Sequence, residues 1–326
     1  MTPPNLILGT GGFASSWSTE SASQLPDLLK PMGINRIDTA AIYPVTAPGE
    51  AEKLLGAINF VDHGFKVDTK IAYGGDGSGT LTEAAVQKSV EQSLASLKTK
   101  AVNVLYCHGP DKKTPISEQA AALHAQYEKG LFTHLGVCNF SPSMLSEWLA
   151  IASEKGYVKP SVFQGQYNAL CRTYEKTLFP LLREHGISFV GFSPLAGGFL
   201  TGKLTYSQGD DDLKGTRFEV TDGNYMGMGF RHWYDKPSMH KAVRKLSSAC
   251  EEHGISTQNA ALRWVVHHSG LTSENGDAVI IGPSNVEQLK KYKEAVDQGA
   301  LPAVLVDVLD GVWESVENDA SNIVVY

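Results

Sequence analysis

No run of about 18 or more apolar residues occurs in the chain, which excludes a membrane-spanning helix of ordinary length. The first residues, MTPPNLILGTGGF, contain neither a basic stretch nor a long apolar one, so no signal peptide is expected there. Lysine and arginine never gather into a block, and the net charge is −7. That argues against nucleic acid or a membrane surface as the partner, while a small anionic ligand needs only a few local cations. Cysteine is scarce: Cys107, Cys138, Cys171 and Cys250 form no CxxC pair and no secreted framework. They read as small core residues in a reducing, cytoplasmic setting. Low-complexity segments are absent, and so is any simple repeat with a period of about 20–50 residues. The glycines of LGTGGF do not make a GxGxxG fingerprint, so the sequence carries no dinucleotide motif of the Rossmann kind.

What is present is ample material for a core: 42% hydrophobic and 9% aromatic residues in a chain of 326. Short apolar stretches read as strands: LILGT, RID, KVDTKIA, VNVLYCH, THLGVCN, SVFQGQYN, ISFVGFSP and AVIIGPS. Amphipathic runs alternate with them, such as TEAAVQKSVEQSLASL, PISEQAAALHAQYEKG and SPSMLSEWLAIASEKG, the last with Pro142 near its start and Gly156 past its end. Eight strands alternating with helices predict an α/β fold, a (β/α)8 barrel of the TIM type, with a doubly wound open sheet as the rival. A single domain over residues 1–326 is expected. The Gly-rich segment from Phe199 to Pro237 carries Tyr206, Phe218, Tyr225, Phe230, Trp233 and Tyr234, and reads as a long βα lid loop after strand seven. The end, LPAVLVDVLDGVWESVENDASNIVVY, reads as a C-terminal helix and tail.

Polar residues fall at the C-terminal ends of successive strands: Asp38, Lys70, His108, Asn139, Gln164, Ser193 and Ser284. In a parallel barrel these ends share one face, where the sites of such enzymes lie. Singly, each has an ordinary reading: Asp38 as a turn residue, Tyr43 as a loop aromatic, Lys70 as a solvated cation, His108 as a loop histidine. His267 and His268, adjacent on a helix, cannot converge on one metal and read as structural. Together, Asp38, Tyr43, Lys70 and His108 suggest chemistry. A partly buried Lys70 needs a counter-ion, which Asp38 on the neighbouring strand could supply. The ammonium would lower the Tyr43 pKa, so that its phenol could protonate a carbonyl oxygen oriented by His108.

These residues belong to longer motifs: DTAAIY, Glu52 to Gly56, the TK at Lys70, YCHGPD, LGVCNFSP, QGQYN, FSPLAGGFLTGK, ALRW and IIGPSNVEQL. Their order and spacing resemble the aldo-keto reductases from end to end, most nearly the branch of aflatoxin-aldehyde and succinic-semialdehyde reductases. The resemblance implies a barrel that binds NADP(H) and reduces a small-molecule aldehyde or ketone, with no metal required. Tyr43 would be the general acid, Asp38 and Lys70 its tuning pair, and His108 the group that orients the carbonyl. Asn139 and Gln164 would hold the nicotinamide carboxamide and Phe192 would stack on the ring. Ser193, Leu195, Gly197 and Lys203 would run along the pyrophosphate, Arg217 would close over the cofactor, and Thr10 and Gly282 would complete the cofactor set. Ser284 with Glu287 fits a capping box whose helix could receive a 2′-phosphate, with Gln288 one turn on. Arg231 would grip a substrate carboxylate. Cys138 stands where the family usually has serine, and Lys291 and Tyr292 where relatives have Glu-Asn. Two other readings stay open: a Schiff-base lyase or aldolase acting through Lys70, and a cofactor-binding regulatory subunit. Oligomeric state is open too, a homo-oligomer included.

Overall fold

A computed structural model describes residues 2–221 and 225–324. Its strands are β1 (Asn5–Gly9), β2 (Arg36–Asp38), β3 (Lys66–Lys70), β4 (Val102–Cys107), β5 (Phe132–Cys138), β6 (Pro160–Gln166), β7 (Ser188–Phe192) and β8 (Ala278–Ile281). Each pairs in parallel with the next, and β8 returns to β1, closing the barrel and excluding the open sheet. All eight expected strands are found. A C-terminal helix, Ala303–Ala320, follows the barrel.

The period of two along each strand separates two cores. Ile7, Val104, Val162, Val190, Ala278 and Ile280 fill the barrel interior. Residues of opposite parity, such as Ile37, Val67, Leu105 and Phe189, pack outward under the helices. The helices begin and end where their termini allow. Thr82 caps Glu83–Leu97 by accepting from the Ala85 N–H, and Ser141 caps Pro142–Lys155 in the same way from Met144. Gly156 ends the latter helix in the left-handed region, at φ 71°.

The Glu52-to-Gly56 motif has a packing cause. A Cβ on Gly56 would lie 2.0 Å from the Ser96 carbonyl oxygen, so only glycine lets helix Glu50–Ile58 approach helix Glu83–Leu97. From the same helix, buried Glu52 accepts a hydrogen bond from the Thr69 hydroxyl at 2.5 Å, tying it to the outer face of β3. The loop carrying Tyr43, between β2 and this helix, is thereby held at both ends.

The long segment after β7 differs from the expected loop. It consists of turns and short helices, among them Ala196–Thr201, Lys203–Tyr206, Asp210–Leu213 and Tyr225–Tyr234. Residues 222–224 of that segment, the Tyr225 side chain, and residues 325–326 of the tail lie outside the described residues. Phe199, Phe218, Phe230 and Tyr234 point inward and are buried, so their apolar area fastens the segment to the barrel. Tyr206 remains exposed. Apolar packing of this kind makes the segment a roof.

Candidate active site

The rim at the C-terminal strand ends is built on two polar layers inside the barrel. In the upper layer, Lys70 Nζ donates to both carboxylate oxygens of Asp38 at 2.8 and 2.7 Å and to the Thr39 carbonyl at 2.7 Å. Gln164 donates an amide hydrogen to Asp38 Oδ1 at 2.8 Å. The lower layer holds Arg36 and Asp68, 2.5 Å apart, with Asn103 on the second Asp68 oxygen at 2.6 Å. Tyr106 joins the layers: Arg36 donates to its hydroxyl at 3.3 Å, and Lys70 Nζ lies 5.7 Å from its ring centre. Its register partner on β5 is Gly136, where a Cβ would stand 2.2 Å from the Tyr106 ring.

Above the upper layer stands Tyr43, whose ring centre is 5.1 Å from Lys70 Nζ. His108 meets the Tyr43 ring edge-on, with centres 5.7 Å apart. Thus the structure brings Asp38, Tyr43, Lys70 and His108 together from three segments of the chain. Burial by itself would lower the Lys70 pKa, but the adjacent Asp38 more than reverses this, and Lys70 is held as a cation. A Schiff base needs a neutral, accessible amine; Lys70 is 1% exposed and bound by three acceptors, which removes the lyase reading.

The expected lowering of the Tyr43 pKa is not the net result. Burial raises it most, Lys70 lowers it in part, and the balance lies above the ordinary phenol value. Tyr43 therefore rests as a phenol and keeps its proton. His108 is pushed down to about 3 by burial and then by Lys70, so its imidazole is neutral. Its Nδ1 is buried and without a hydrogen-bond partner among the described residues.

Asn139 follows β5 in the left-handed region, at φ 60°, and its amide donates to the His108 carbonyl at 3.3 Å. Ser193, after β7, has φ 54°, and its carbonyl accepts from Asn168 at 3.1 Å. Asn139 and Phe192 line a cavity of about 290 Å³, together with Tyr73, Gln166, Trp233 and Ile323. The Tyr73 ring is centred 6.1 Å from that of His108, which places the cavity beside the four-residue cluster. Tyr73, Gln166 and Ile323 are not among the residues expected at the site, whereas Trp233 belongs to the aromatics of the expected lid loop. Gln166 shares a strand face with Gln164 and so could have been found by alternation. Nothing local marks Ile323, which comes from the other end of the chain.

Several expected cofactor residues have places of their own. The Thr10 hydroxyl and N–H both donate to the Asp38 carbonyl, at 3.0 and 2.9 Å, fastening β1 to β2. Leu195 is buried, Lys203 and Gly282 are exposed, and Gly197 lies against the Phe230 ring. Arg217 reaches across from the roof: its Nη2 is 3.7 Å from where a Cβ on Gly11 would be, and its guanidinium is 5.7 Å from the Phe230 ring centre. Asn285, not Ser284, caps helix Val286–Asp297, accepting from the Gln288 N–H at 2.9 Å. The Gln288 side chain turns back to accept from the Ser284 N–H at 2.8 Å, so the box expected of Ser284 and Glu287 does not form. Ser284 and Asn285 border a second cavity, of about 370 Å³, with Ser16, Trp17 and Ser21. Arg231 is not brought to the cluster. Its Nε donates to the Phe218 carbonyl at 2.8 Å and its Nη2 to Asp210 at 2.6 Å, so it binds the roof to itself. Cys138 is buried beside Lys70 and Asp38, and burial drives its thiol pKa upward, so it stays a neutral thiol.

A closed eight-stranded parallel barrel with a phenol, a neutral imidazole and a buried ammonium–carboxylate pair at its C-terminal rim defines a class of barrel enzyme. Comparison with known proteins gives the family. Residues 5–314 match the aldo/keto reductase family. Human aldo-keto reductase family 7 member A3 is 32% identical over 328 residues, covering 98% of this chain and 96% of its own length. Human aflatoxin B1 aldehyde reductase member 2 is 32% identical over 329 residues, covering 98% of this chain and 90% of its own. An aldo-keto reductase of Pseudocercospora fijiensis is 33% identical over 294 residues, 89% and 97% of the two chains. The chain belongs to the aldo/keto reductase family. By that membership it is an oxidoreductase acting on carbonyl compounds.

Proposed function

We propose that this chain, as one domain over residues 1–326, is an NADPH-dependent reductase of aldehydes or ketones with Tyr43 as its general acid. The observation that carries the reading is the buried Lys70–Asp38 pair under the Tyr43 ring, with His108 edge-on to that ring. Several features fit a nicotinamide cofactor. Asn139 and Phe192 line one cavity, Gly197 and Gly198 turn the backbone at φ 67° and 102°, and Arg217 of the roof approaches Gly11 beyond β1. Asn139 and Gln164 would hold the carboxamide, Phe192 would cover a ring face, and the 284–288 turn would receive the adenosine end. When bound, the reduced nicotinamide supplies a hydride to the carbonyl carbon.

The residues of this chain manage the oxygen. His108, being neutral, contributes a hydrogen bond and no proton. Tyr43 donates its proton as negative charge grows on that oxygen, and the Lys70 ammonium stabilises the phenolate left behind. A carbonyl substrate agrees with the names of the aflatoxin B1 aldehyde reductases among the relatives. Tyr43→Phe should lower kcat for aldehyde reduction by about 10²–10⁴-fold, the range for a lost general acid. Quenching of protein fluorescence by NADPH should stay near wild type. Turnover within a few-fold of wild type would remove Tyr43 from the role. Full NADPH binding with no reduction of any aldehyde or ketone by the wild-type chain would favour a cofactor-binding subunit.

A further inference from the structure

The outer wall of the 290 Å³ cavity comes from the chain's last turns, and their placement has a traceable cause. Helix Ala303–Ala320 ends, the Ile323 N–H donates to the Ala320 carbonyl at 3.0 Å, and this turn sends Ile323 and Val324 inward while Ser321 and Asn322 stay exposed. Ile323 is 3% exposed and faces the cavity with Trp233.

Four polar contacts hold that turn to one short segment, 232–238. Lys236 Nζ donates to the Asp319 carbonyl at 2.5 Å and to Asn322 Oδ1 at 2.8 Å. The Ser238 hydroxyl donates to the Asp319 carboxylate, and Asn322 Nδ2 lies 3.3 Å from His232 Nε2. Lys236 is also the residue before helix Pro237–Glu252, where its side chain makes no capping bond. The same segment is anchored in the barrel: the Tyr234 hydroxyl accepts from Gln166 at 2.5 Å and from Asn168 at 3.1 Å. Segment 232–238 therefore positions both walls, Trp233 directly and Ile323 through the clamp.

We propose that Ile323 is a specificity-determining residue, and that Lys236, Ser238 and His232 are positioning residues that hold it against the substrate through Asp319 and Asn322. The substrate class this shape takes is a carbonyl compound with a flat apolar body, which fits between Tyr73, Trp233 and Ile323. The inference rests on the reductase reading. On this reading a small aldehyde engages the Tyr43–His108 pair alone, whereas a bicyclic aldehyde also lies against the outer wall.

The test compares 2-naphthaldehyde with propanal on the full chain in four forms: wild type, Ile323→Ala, Lys236→Ala, and the double variant. In Ile323→Ala the ratio of kcat/KM for naphthaldehyde over propanal should fall about tenfold through KM, the scale of a lost apolar contact in a pocket. Lys236→Ala should move the ratio in the same direction, and the double variant should be no worse than Ile323→Ala alone. If Lys236→Ala fails to fold, Asn322→Ala replaces it, since that side chain is exposed. An unchanged ratio in Ile323→Ala, parallel loss for both aldehydes, or additive effects in the double variant would overturn the proposal. Binding of 2-naphthaldehyde, read by tryptophan quenching, separates the two claims. If the wild type reduces neither aldehyde with either nicotinamide, the reductase reading falls, while binding weakened by Ile323→Ala supports the wall and unweakened binding removes it.

Discussion

Two titratable groups at the barrel rim and interior, His108 and Asp68, respond to acid in opposite senses. His108 takes a proton near its ordinary 6.5 when unfolded but only near 3 when folded, so between those values the unfolded chain binds more protons. Stability is therefore lost as pH falls through this window. Asp68 is the reverse case. Burial lifts it most, Arg36 brings it part of the way back, and it settles at about 6 against an ordinary 3.8. The folded chain protonates it first, so its contribution to stability rises as pH falls from about 6 towards about 3.8. At about 1.4 kcal/mol per tenfold change in proton affinity, His108 should cost roughly 2–3 kcal/mol between about pH 6.5 and about pH 4.5. Urea unfolding at several pH values should show a shallower acid loss in His108→Gln and a steeper one in Asp68→Asn. At neutral pH Asp68→Asn should also cost about 2–4 kcal/mol, because the partly buried Arg36 is left without its carboxylate. An acid slope unchanged in both variants would mean that neither group titrates as its surroundings require. A neutral His108 has a kinetic corollary: kcat/KM should show no inflection near its ordinary 6.5 that disappears in His108→Gln.

At the scale of elements, the roof after β7 shows where tertiary packing overrides local preference. Gly227 and Gly229 weaken any helical signal in 225–234, and residues of that composition read as a loop. Yet the helix forms, because Phe230 and Tyr234, four residues apart, lie on one buried face, and because Gly227 is pressed against the preceding turn. A Cβ there would sit 2.1 Å from the Glu219 carbonyl oxygen, in backbone that cannot swing away. Gly227→Ala should therefore lower stability by about 1–3 kcal/mol, against the gain expected from alanine in a free helix. A thermal melt in which the alanine variant is the more stable protein would show that the roof is not pinned at this contact. The strands were legible for the opposite reason. Alternation along KVDTK or SFVGF is local, so burial parity and the polar strand ends could be read from a few residues each. Asp38, Lys70 and His108 met as their strand ends required. Arg231 did not join them, since its true partners, Asp210 and the Phe218 carbonyl, are set by how the roof folds on itself.

Across the whole molecule the charge is −7, so the anionic cofactor proposed above would have to be drawn by local fields. Arg217 is placed to provide one. It approaches Gly11 beyond β1, and its positive charge bears on both Tyr43 at the rim and Tyr292 on helix Val286–Asp297. One guanidinium thus spans the distance between the chemistry and the turn proposed for the adenosine end. No local pattern around residue 217 announces that reach; it exists only once β1, the roof and the last barrel helix are assembled. If the proposed cofactor is NADPH, Arg217→Gln should raise its KM about tenfold, the worth of roughly one charge-assisted contact at 1.4 kcal/mol. NADH, which lacks the extra phosphate, should lose less. Salt gives an independent reading. At about 1 M the screening length shrinks to about 3 Å, so the wild-type preference for NADPH should narrow while Arg217→Gln changes little. Equal losses for the two nicotinamides, with no dependence on salt, would place Arg217 in holding the roof closed and leave the phosphate to other residues.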